Sequence, residues 1–308
     1  SDRDFLRNNK SFNLLPSRTS FQNYLIETFK NYNPDLLFFG HTKNIDLNTI
    51  EELKSINKNL IISQWNEDPV MPSLDYSKKN ISNINLYSNF IDHNFITTHP
   101  SVIKNKTNSD NFHFLFVPVD KNIERFNVFK LNPKNDLFYA MSHGVNRAVL
   151  KKGIEDNRVE FLDKLVKKIQ HIKYDFYGFA NKQPIWGNDF IKAISNSSMA
   201  INLSRGEPVK YYSSDRIAQL IGNGLLTFID KKTKFNDFFS NDEVIFYTDL
   251  DDLSYKLNKY KKDIKDAKRI AKNGRDFYSK NFNSTIVSDF ILSKLFDFKS
   301  KNKFVWEN

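Results

Sequence analysis

The sequence predicts an α/β protein with two Rossmann-like domains whose parallel sheets face a cleft. Short apolar runs typical of buried strands alternate with amphipathic helical segments along the chain. The alternation occurs twice, and a stretch from Asp120 to Asp136 that is broken at Asn132-Pro133 separates the two runs. With 308 residues the chain has room for two domains. We expect a first domain over residues 1–125 and a second over residues 126–308.

The first run places polar loops after two buried strands. The pattern predicts helices over 20–32 and 45–57, strands over 35–39, 59–65 and 112–117, and short elements over 83–90 and 95–98. The first strand leads into Gly40-His41-Thr42, and the second leads into Asn66-Glu67-Asp68-Pro69. Because open parallel sheets bind ligands beyond the carboxyl ends of their strands, both loops are candidate site loops.

The second run has the same organisation. We expect strands over 136–141, 174–177, 200–203, 225–229 and 244–247. Helices are expected over 158–172, 190–195, 253–258, 263–278 and 281–298, with a further helix beginning near Arg216.

The helix near Arg216 is the centre of the predicted site. Ser213, Ser214 and Asp215 can each cap it, and Gly224 lies where a left-handed turn would end it. A helix N-terminus beside serine and arginine side chains, just past a strand, can bind an anion. An ordinary β-α-β unit with a solvated loop fits this stretch equally well, so both interpretations stay open here.

The amino-acid composition and the absence of several motifs limit the functions that the protein can have. A net charge of +10 favours an anionic partner, although lysine-rich, asparagine-rich and isoleucine-rich usage also follows from an AT-rich genome. The absence of cysteine excludes disulfides and thiolate chemistry and fits a reducing compartment. No signal peptide or long apolar run is visible, and the missing initial methionine is consistent with a fragment or a processed chain. P-loop, dinucleotide-fingerprint, HExxH and GxSxG motifs are absent.

Several short motifs occur in one order along residues 136–290. They are Phe138 to Arg147, in which a strand end is followed by arginine, then Phe176-Tyr177-Gly178, Ile201-Asn202-Leu203, Arg216-Ile217-Ala218-Gln219 with Gly224, the segment Glu243 to Asp249, and Ile270-Ala271-Lys272-Asn273-Gly274-Arg275. Together they resemble the C-terminal domain of the CgeB-like, spore-maturation glycosyltransferases. The first half is similar to that family only in Asn33-Pro34-Asp35 and in Trp65 to Pro69.

The resemblance implies the GT-B fold, with a C-terminal helix that returns to the first domain. It also implies transfer of a sugar from a nucleotide-sugar donor to a polysaccharide, glycolipid or protein acceptor, without a metal or other cofactor. One position departs from the family: Gln219 stands where a glutamate usually binds the donor ribose. The alternative is therefore a non-catalytic module that binds an anionic ligand, nucleic acid or glycan. Nucleic acid is the less favoured partner, because most aromatic residues lie in apolar strands.

The chemistry of glycosyl transfer assigns roles to the candidate residues. The leaving diphosphate needs positive charge, for which Arg147, Arg205, Lys210 and Arg216 are candidates. A surface charge is the competing interpretation for each. The full set of predicted donor-binding residues is Ser142, His143, Asn146, Arg147, Gly178, Arg205, Lys210, Tyr212, Ser213, Ser214, Asp215, Arg216 and Gln219.

The acceptor hydroxyl needs a base, which we expect from the first domain. Glu67 is the first candidate and Asp68 the second, because a strand holds both rigidly at its carboxyl end, and His41 is the reserve. Helix capping or a solvated turn is the alternative for each. Asp249 to Asp252 resembles a metal-binding D-x-D, but capping of the next helix by Asp251 or Asp252 is favoured. We expect a cytoplasmic protein, with contact at the inner face of an anionic membrane as an option.

Overall fold

A computed structural model describes residues 18–40, 44–71, 75–103, 107–141 and 157–307. Across these residues the chain forms two compact units. The first comprises Ser1–Ile96, Pro100–Phe114 and Lys294–Asp297, and the second comprises Thr97–His99, Leu115–Ser293 and Phe298–Asn308. The predicted domain boundary between residues 125 and 126 stays a prediction.

The first unit contains a four-stranded parallel sheet in the order β1-β2-β3-β4. Its strands are β1 (Leu36–Phe39), β2 (Ile61–Asn66), β3 (His93–Ile96) and β4 (Phe112–Phe114), and its helices are α1 (Arg18–Tyr32), α2 (Leu47–Ile56) and α3 (Asp75–Tyr87). Ile50, Leu53 and Ile62 are fully buried in its core. The apolar runs predicted as strands therefore form the sheet, with ends within a few residues of the predicted ones.

The second unit contains a five-stranded parallel sheet in the order β6-β5-β7-β8-β9. Its strands are β5 (Asn135–Ala140), β6 (Tyr174–Tyr177), β7 (Ser197–Asn202), β8 (Leu226–Asp230) and β9 (Ile245–Tyr247). Its helices are α4 (Asn157–Lys168), α5 (Gly187–Ser195), α6 (Arg216–Gly222), α7 (Leu250–Lys262), α8 (Ile264–Asn281) and most of α9 (Ser284–Leu295). The predicted α/β class with two parallel sheets is confirmed.

A helix cap corrects one detail of the sequence prediction. Helix α7 is capped by Asp249, whose carboxylate accepts hydrogen bonds from the backbone N–H groups of Asp251 and Asp252. The prediction that this acidic run caps a helix is right, but the capping side chain is Asp249 because the helix begins three residues earlier than expected. Asp46 occupies the cap position of α2 without a side-chain cap bond.

The last helix is shorter than expected for a tertiary reason. Phe282 stacks on Phe116 with ring centroids 3.9 Å apart, and Asn283 forms a parallel β-bridge with Val119. These contacts take Phe282 and Asn283 out of helical geometry, so α9 begins at Ser284. Its last two residues, with the two that follow, form the segment Lys294–Asp297 of the first unit, in agreement with the expected return of the C-terminal helix.

The aromatic residues of the second unit form part of its core. Phe116, Tyr278, Phe282 and Trp306 are buried against one another. This packing confirms the expectation that these aromatic residues serve the core. Among the described residues, no helix combines the length and the hydropathy needed to cross a bilayer.

Candidate functional site

The carboxyl edge of the second sheet carries polar side chains at three neighbouring strand ends. β7 ends at Asn202, β8 at Asp230 and β9 at Tyr247, and the parallel register pairs Asn202 with Ile229 and Asp230 with Tyr247. A cavity of about 360 Å³ opens at this edge. The topology therefore forms a polar-rimmed site from residues that are 28 and 17 positions apart in the sequence.

Two hydrogen bonds join the loop after β7 to the first residue of α4. The side-chain amide of Asn157 donates to the carbonyl of Gly206 at 3.0 Å, and the Gly206 N–H donates to the Asn157 oxygen at 3.1 Å. Gly206 has φ +78°, a left-handed conformation that favours glycine. This pair closes one side of the cavity.

Cations and carboxylates both line the cavity. Its charged lining residues are Arg158, Glu160, Lys164, Glu207, Asp230, Lys232 and Asp249. Arg158 is buried, which places a guanidinium in the wall rather than on the surface. A ligand that combines an anionic group with several hydroxyls fits such a lining, since guanidinium and ammonium groups bind phosphate while carboxylates accept hydrogen bonds from hydroxyls.

Asp230 and Tyr247 lie in a poorly solvated part of the wall. Burial raises the pKa of Asp230, although its carboxylate accepts a 2.8 Å hydrogen bond from the Lys232 N–H. Burial, reinforced by the charge of Asp230, also raises the pKa of Tyr247, so its phenol stays neutral. The buried Tyr247 hydroxyl has no hydrogen-bond partner among the described residues. A bound polar ligand could supply one.

Arg216 is fixed at the same edge. Its Nη1 donates to the carbonyl of Leu203 at 2.9 Å, and the guanidinium lies 5.3 Å from the centre of the Tyr139 ring. The Tyr139 hydroxyl donates to the same carbonyl, also at 2.9 Å. The guanidinium is thus oriented by a carbonyl and an aromatic face, and no carboxylate among the described residues neutralises it.

The serines before α6 have different environments. The hydroxyl of Ser213 is buried and donates to the Asn202 oxygen at 2.9 Å, so it joins the loop to the end of β7. The Ser214 hydroxyl is buried without a partner among the described residues. Of the predicted donor-binding residues that the structure describes, Tyr212 lines the cavity.

The first turn of α6 differs from the predicted cap. Asp215 has helical backbone angles and forms no side-chain cap bond. Its carboxylate instead accepts a 3.1 Å hydrogen bond from the side-chain amide of Gln219, one turn along the helix. Gln219 therefore has an intramolecular partner at the position where the resemblance to the CgeB-like family led us to expect glutamate. Gly224 ends this region with φ +79°, as predicted.

Three other predicted residues lie on neighbouring loops. Gly178 follows β6 with φ +74°, and an added Cβ would lie 2.1 Å from the Met141 carbonyl oxygen, so the position requires glycine. The Lys210 ammonium lies 4.8 Å from the centre of the Tyr211 ring. Arg205 is half-buried in the loop after β7.

Some predicted residues lie outside the described part of the chain. They are His41 among the candidate bases and Ser142, His143, Asn146 and Arg147 among the donor-binding residues. Their roles stay predictions.

Glu67 and Asp68 lie in the first unit, directly after β2, and both are exposed. The two residues before them, Trp65 and Asn66, each bury a side-chain nitrogen that has no hydrogen-bond partner among the described residues. Unpartnered buried donors are uncommon, and a ligand can satisfy them. This strand end therefore has polar groups suited to a hydroxyl-rich molecule.

The described residues contain no group of three or more histidine, cysteine or acidic side chains that could hold a metal ion. At the acidic run where α7 begins, the Asp249 carboxylate caps the helix, and Asp252 accepts hydrogen bonds from the Thr248 N–H and from Lys256.

The part of the chain that forms the cavity matches a known protein family. Residues 158–293 match a protein family described as glycosyl transferase-like. These residues include β7, β8, β9 and nearly all of the cavity wall. The matched domain and the fold support an enzyme of the glycosyltransferase class.

Several solved structures have a similar fold, and a glycosyltransferase is among them. The Anabaena protein HepE, solved with UDP, is 13% identical with a TM-score of 0.58, and the match covers 90% of this chain and 82% of HepE. A Rickettsia africae glycosyltransferase is 11% identical with a TM-score of 0.59, and the match covers 97% of this chain and 88% of that one.

Staphylococcus aureus TarM, as a variant solved with fondaparinux, alpha-GlcNAc-glycerol and UDP, is 12% identical with a TM-score of 0.59. The match covers 89% of this chain and 58% of TarM. No curated protein sequence matches the chain. The similarity to these solved structures confirms the GT-B fold. The resemblance to the CgeB-like subfamily stays a prediction.

The sequence interpretation missed most of the cavity wall. Asn157, Arg158, Asp230, Lys232 and Tyr247 were not among the predicted site residues, yet all line the cavity. Asp230 and Tyr247 end apolar strands, and a polar residue at the carboxyl end of a buried strand was the available signal.

Proposed function

We propose that the protein transfers a sugar from a nucleotide-sugar donor to a polysaccharide, glycolipid or protein acceptor, and that the donor binds at the carboxyl edge of the second sheet. The cavity of about 360 Å³ at that edge carries this proposal. A pocket of this size falls within the range of small-molecule sites. Its cationic side chains suit the diphosphate of a nucleotide sugar, and its carboxylates can accept hydrogen bonds from the hydroxyl groups of the sugar and the ribose.

Roles within the donor site follow from the charges. Arg158 and Lys232 in the wall, with Arg216 beside it, would offset the negative charge of the leaving diphosphate. Asp230 and Asp249 would accept hydrogen bonds from donor hydroxyls, and the unpartnered Tyr247 hydroxyl would hydrogen-bond the ligand. Glu67 in the first unit is the proposed base for the acceptor hydroxyl, with Asp68 and His41 as alternatives.

UDP-sugars are the first donors to test, because HepE has been solved with UDP and with UDP-glucose. We propose that protein cations take the role that a metal ion takes in other glycosyltransferases, so that transfer proceeds without a metal. The acceptor is proposed only by class. A cytoplasmic location with contact at an anionic membrane remains part of the proposal.

A second function, ligand binding without turnover, is supported by one observation. Gln219 replaces the family glutamate and is already hydrogen-bonded to Asp215. Neutral glutamine binds a ribose hydroxyl less strongly than a carboxylate does.

The deciding experiment is a thermal-shift panel of nucleotides and UDP-sugars, followed by assays of donor hydrolysis and transfer with and without EDTA. A ligand that binds the native state raises the melting temperature. We expect stabilisation by a nucleoside diphosphate, and turnover of the matching sugar donor in the presence of EDTA. Binding without turnover on any acceptor class would favour the second function, and no stabilisation by any nucleotide would contradict the proposed donor site.

A further inference from the structure

A second cavity, of about 200 Å³, lies at the opposite edge of the same sheet. It is lined by the first residues of β5, Asn135 and Asp136, and by Ser198 near the start of β7. β7 has six residues, which separates the two edges by roughly 17 Å along the strand. This cavity is therefore distinct from the proposed donor site.

The inside of this cavity is mainly apolar. Val128 and Phe129 form one wall, and Tyr260, Ala267 and Ala271 from α7 and α8 form the other. Apolar cavities of about 150 Å³ are large enough to hold benzene, so this one can take a short alkyl chain or a ring. Two of its apolar lining residues are also accessible to solvent, since Leu131 is 40% exposed and Ile264 is 59% exposed.

The mouth of the cavity has an excess of positive charge. Lys268 lines it, and its ammonium donates a 3.3 Å hydrogen bond to the carbonyl of Leu131 and forms no ion pair among the described residues. The neighbouring Lys265 and Lys130 form no ion pair among the described residues, although Lys130 lies 6.0 Å from the Phe129 ring centre. The ammonium groups of these lysines therefore make only weak contacts, which an acid group of a ligand can replace.

The acidic groups nearby are already engaged. Asp136 is paired with Lys261 at 2.7 Å and also accepts a hydrogen bond from the Lys173 N–H. Asp263 caps α8 through the Asp266 N–H, and Asp266 pairs with Arg269. The free positive charge at the mouth is therefore not offset by a free carboxylate among these residues.

From this arrangement we propose that the cavity binds an anionic amphiphile, with an alkyl chain inside and its acid group on Lys268. A free fatty acid and an anionic membrane lipid share this chemistry. The proposal goes beyond the proposed function, and its test needs no transfer assay.

The test uses the full chain with three probes. Isothermal titration with sodium decanoate and with decyltrimethylammonium separates the charge requirement from simple apolar binding. Cosedimentation with phosphatidylcholine vesicles, with and without phosphatidylglycerol, tests the membrane source. We expect decanoate to bind more tightly than the cationic amphiphile. Retention on anionic vesicles would identify a membrane lipid as the source, and binding of decanoate alone would identify a free fatty acid.

Variants locate the site. Ala267→Phe fills the cavity and should abolish decanoate binding, while Ile264→Ser removes an exposed apolar contact and should weaken it without disturbing the core. Lys268→Gln should weaken binding by up to about fivefold, the scale of an exposed ion pair. Lys272→Gln is the matched control, because Lys272 is on the same helix, pairs with Asp276 and does not line the cavity.

Circular dichroism and melting curves would establish that each variant is folded, and Ile264→Ser keeps the test valid if Ala267→Phe does not fold. Binding that is equal in Ile264→Ser, Lys268→Gln and the wild type would overturn the proposal. Equal affinity for decanoate and decyltrimethylammonium would overturn it as well, as would failure to bind both decanoate and anionic vesicles.

Discussion

The guanidinium of Arg216 donates a 2.9 Å hydrogen bond to the carbonyl oxygen of Leu203, the first residue after β7. This bond holds a positive charge at the carboxyl edge of the sheet without neutralising it. The remaining N–H groups of the fork can then bind a donor diphosphate in a geometry that is set before the ligand arrives.

Replacement of Arg216 by alanine should lower the rate of transfer by about 10²–10³, the usual loss when a preorganised donor to a developing negative charge is removed. Arg216→Lys should lose less, because it retains the charge but not the fork. Single-turnover rates on the best donor measure both. Arg269→Ala is the control, since Arg269 is exposed and pairs with Asp242 and Asp266. Near-normal turnover in Arg216→Ala would remove this residue from the site.

The hydrogen bond from Gln219 to Asp215 leads to a prediction about donor affinity. Gln219→Glu alone should not improve donor binding, because it places a second carboxylate one helical turn from Asp215, and such like-charge pairs cost about 0.2–0.5 kcal/mol. Adding Asp215→Asn removes the repulsion, and the double variant should bind the donor more tightly than the wild type. Titration calorimetry of all four proteins tests this. Equal affinities throughout would show that position 219 does not contact the donor.

Gly274 is predicted to be required for stability. An added Cβ would lie 2.1 Å from the backbone carbonyl oxygen of Glu243, which cannot move without shifting the segment before β9. Gly274→Ala should therefore lower the free energy of unfolding by about 1–3 kcal/mol, as other overpacked sites do. Denaturant melts would measure the loss, with Asn273→Ala as the neighbouring control. A stabilised Gly274→Ala protein would contradict the close approach.

Two stacked histidines predict how the stability of the first unit depends on pH. Nδ1 of His93 and Nε2 of His113 are 3.0 Å apart. Burial, with the nearby charges of His93 and Lys294, lowers the pKa of His113 from 6.5 to about 4, and burial also lowers the pKa of His93. Between pH 6.5 and about 4 the unfolded chain binds more protons at His113 than the folded chain, so stability falls as the pH falls through this window.

His113→Gln should flatten this acid-side loss, because glutamine can still hydrogen-bond His93 but does not titrate. Melting temperatures of the two proteins between pH 7.5 and 4 would show it. Parallel curves for variant and wild type would mean that another group controls the acid response.

The sequence predicted most of the elements correctly because burial in a parallel sheet leaves a local signal. β8, for example, was recognised from its apolar run between Gly224 and Asp230. Helix ends were less predictable where a distant contact decides them. The start of α9 depends on the stacking of Phe282 on Phe116, which are 166 residues apart in the sequence.

The site was predicted less completely than the fold for a similar reason. The loop around Arg216 carries its own pattern of serine, arginine and glycine, so it could be proposed from the sequence alone. Asp230 and Tyr247 form part of a site only because β8 and β9 are neighbours in the sheet. Strand order is a property of the folded chain, and no local pattern contains it.

The final prediction concerns the base that activates the acceptor. Glu67 follows β2 directly and is exposed, so its carboxylate is accessible to solvent next to a strand that fixes the preceding backbone. Glu67→Gln keeps the size of the side chain and removes its charge, so it should abolish most transfer while donor affinity stays unchanged. Asp68→Asn is the matched variant one residue further on, and we expect a smaller loss because Asp68 precedes Pro69, which confines its backbone to extended conformations.

Transfer rates and donor titrations for both variants separate catalysis from binding. A general base contributes about 10²–10⁴ to the rate, so a loss of that size in Glu67→Gln with unchanged donor affinity supports the assignment. A larger loss in Asp68→Asn would exchange the two roles. If both variants transfer normally, the base is neither carboxylate, and His41→Gln becomes the next variant to measure. A loss confined to donor affinity would instead place Glu67 in contact with the donor, and the base would have to be sought elsewhere.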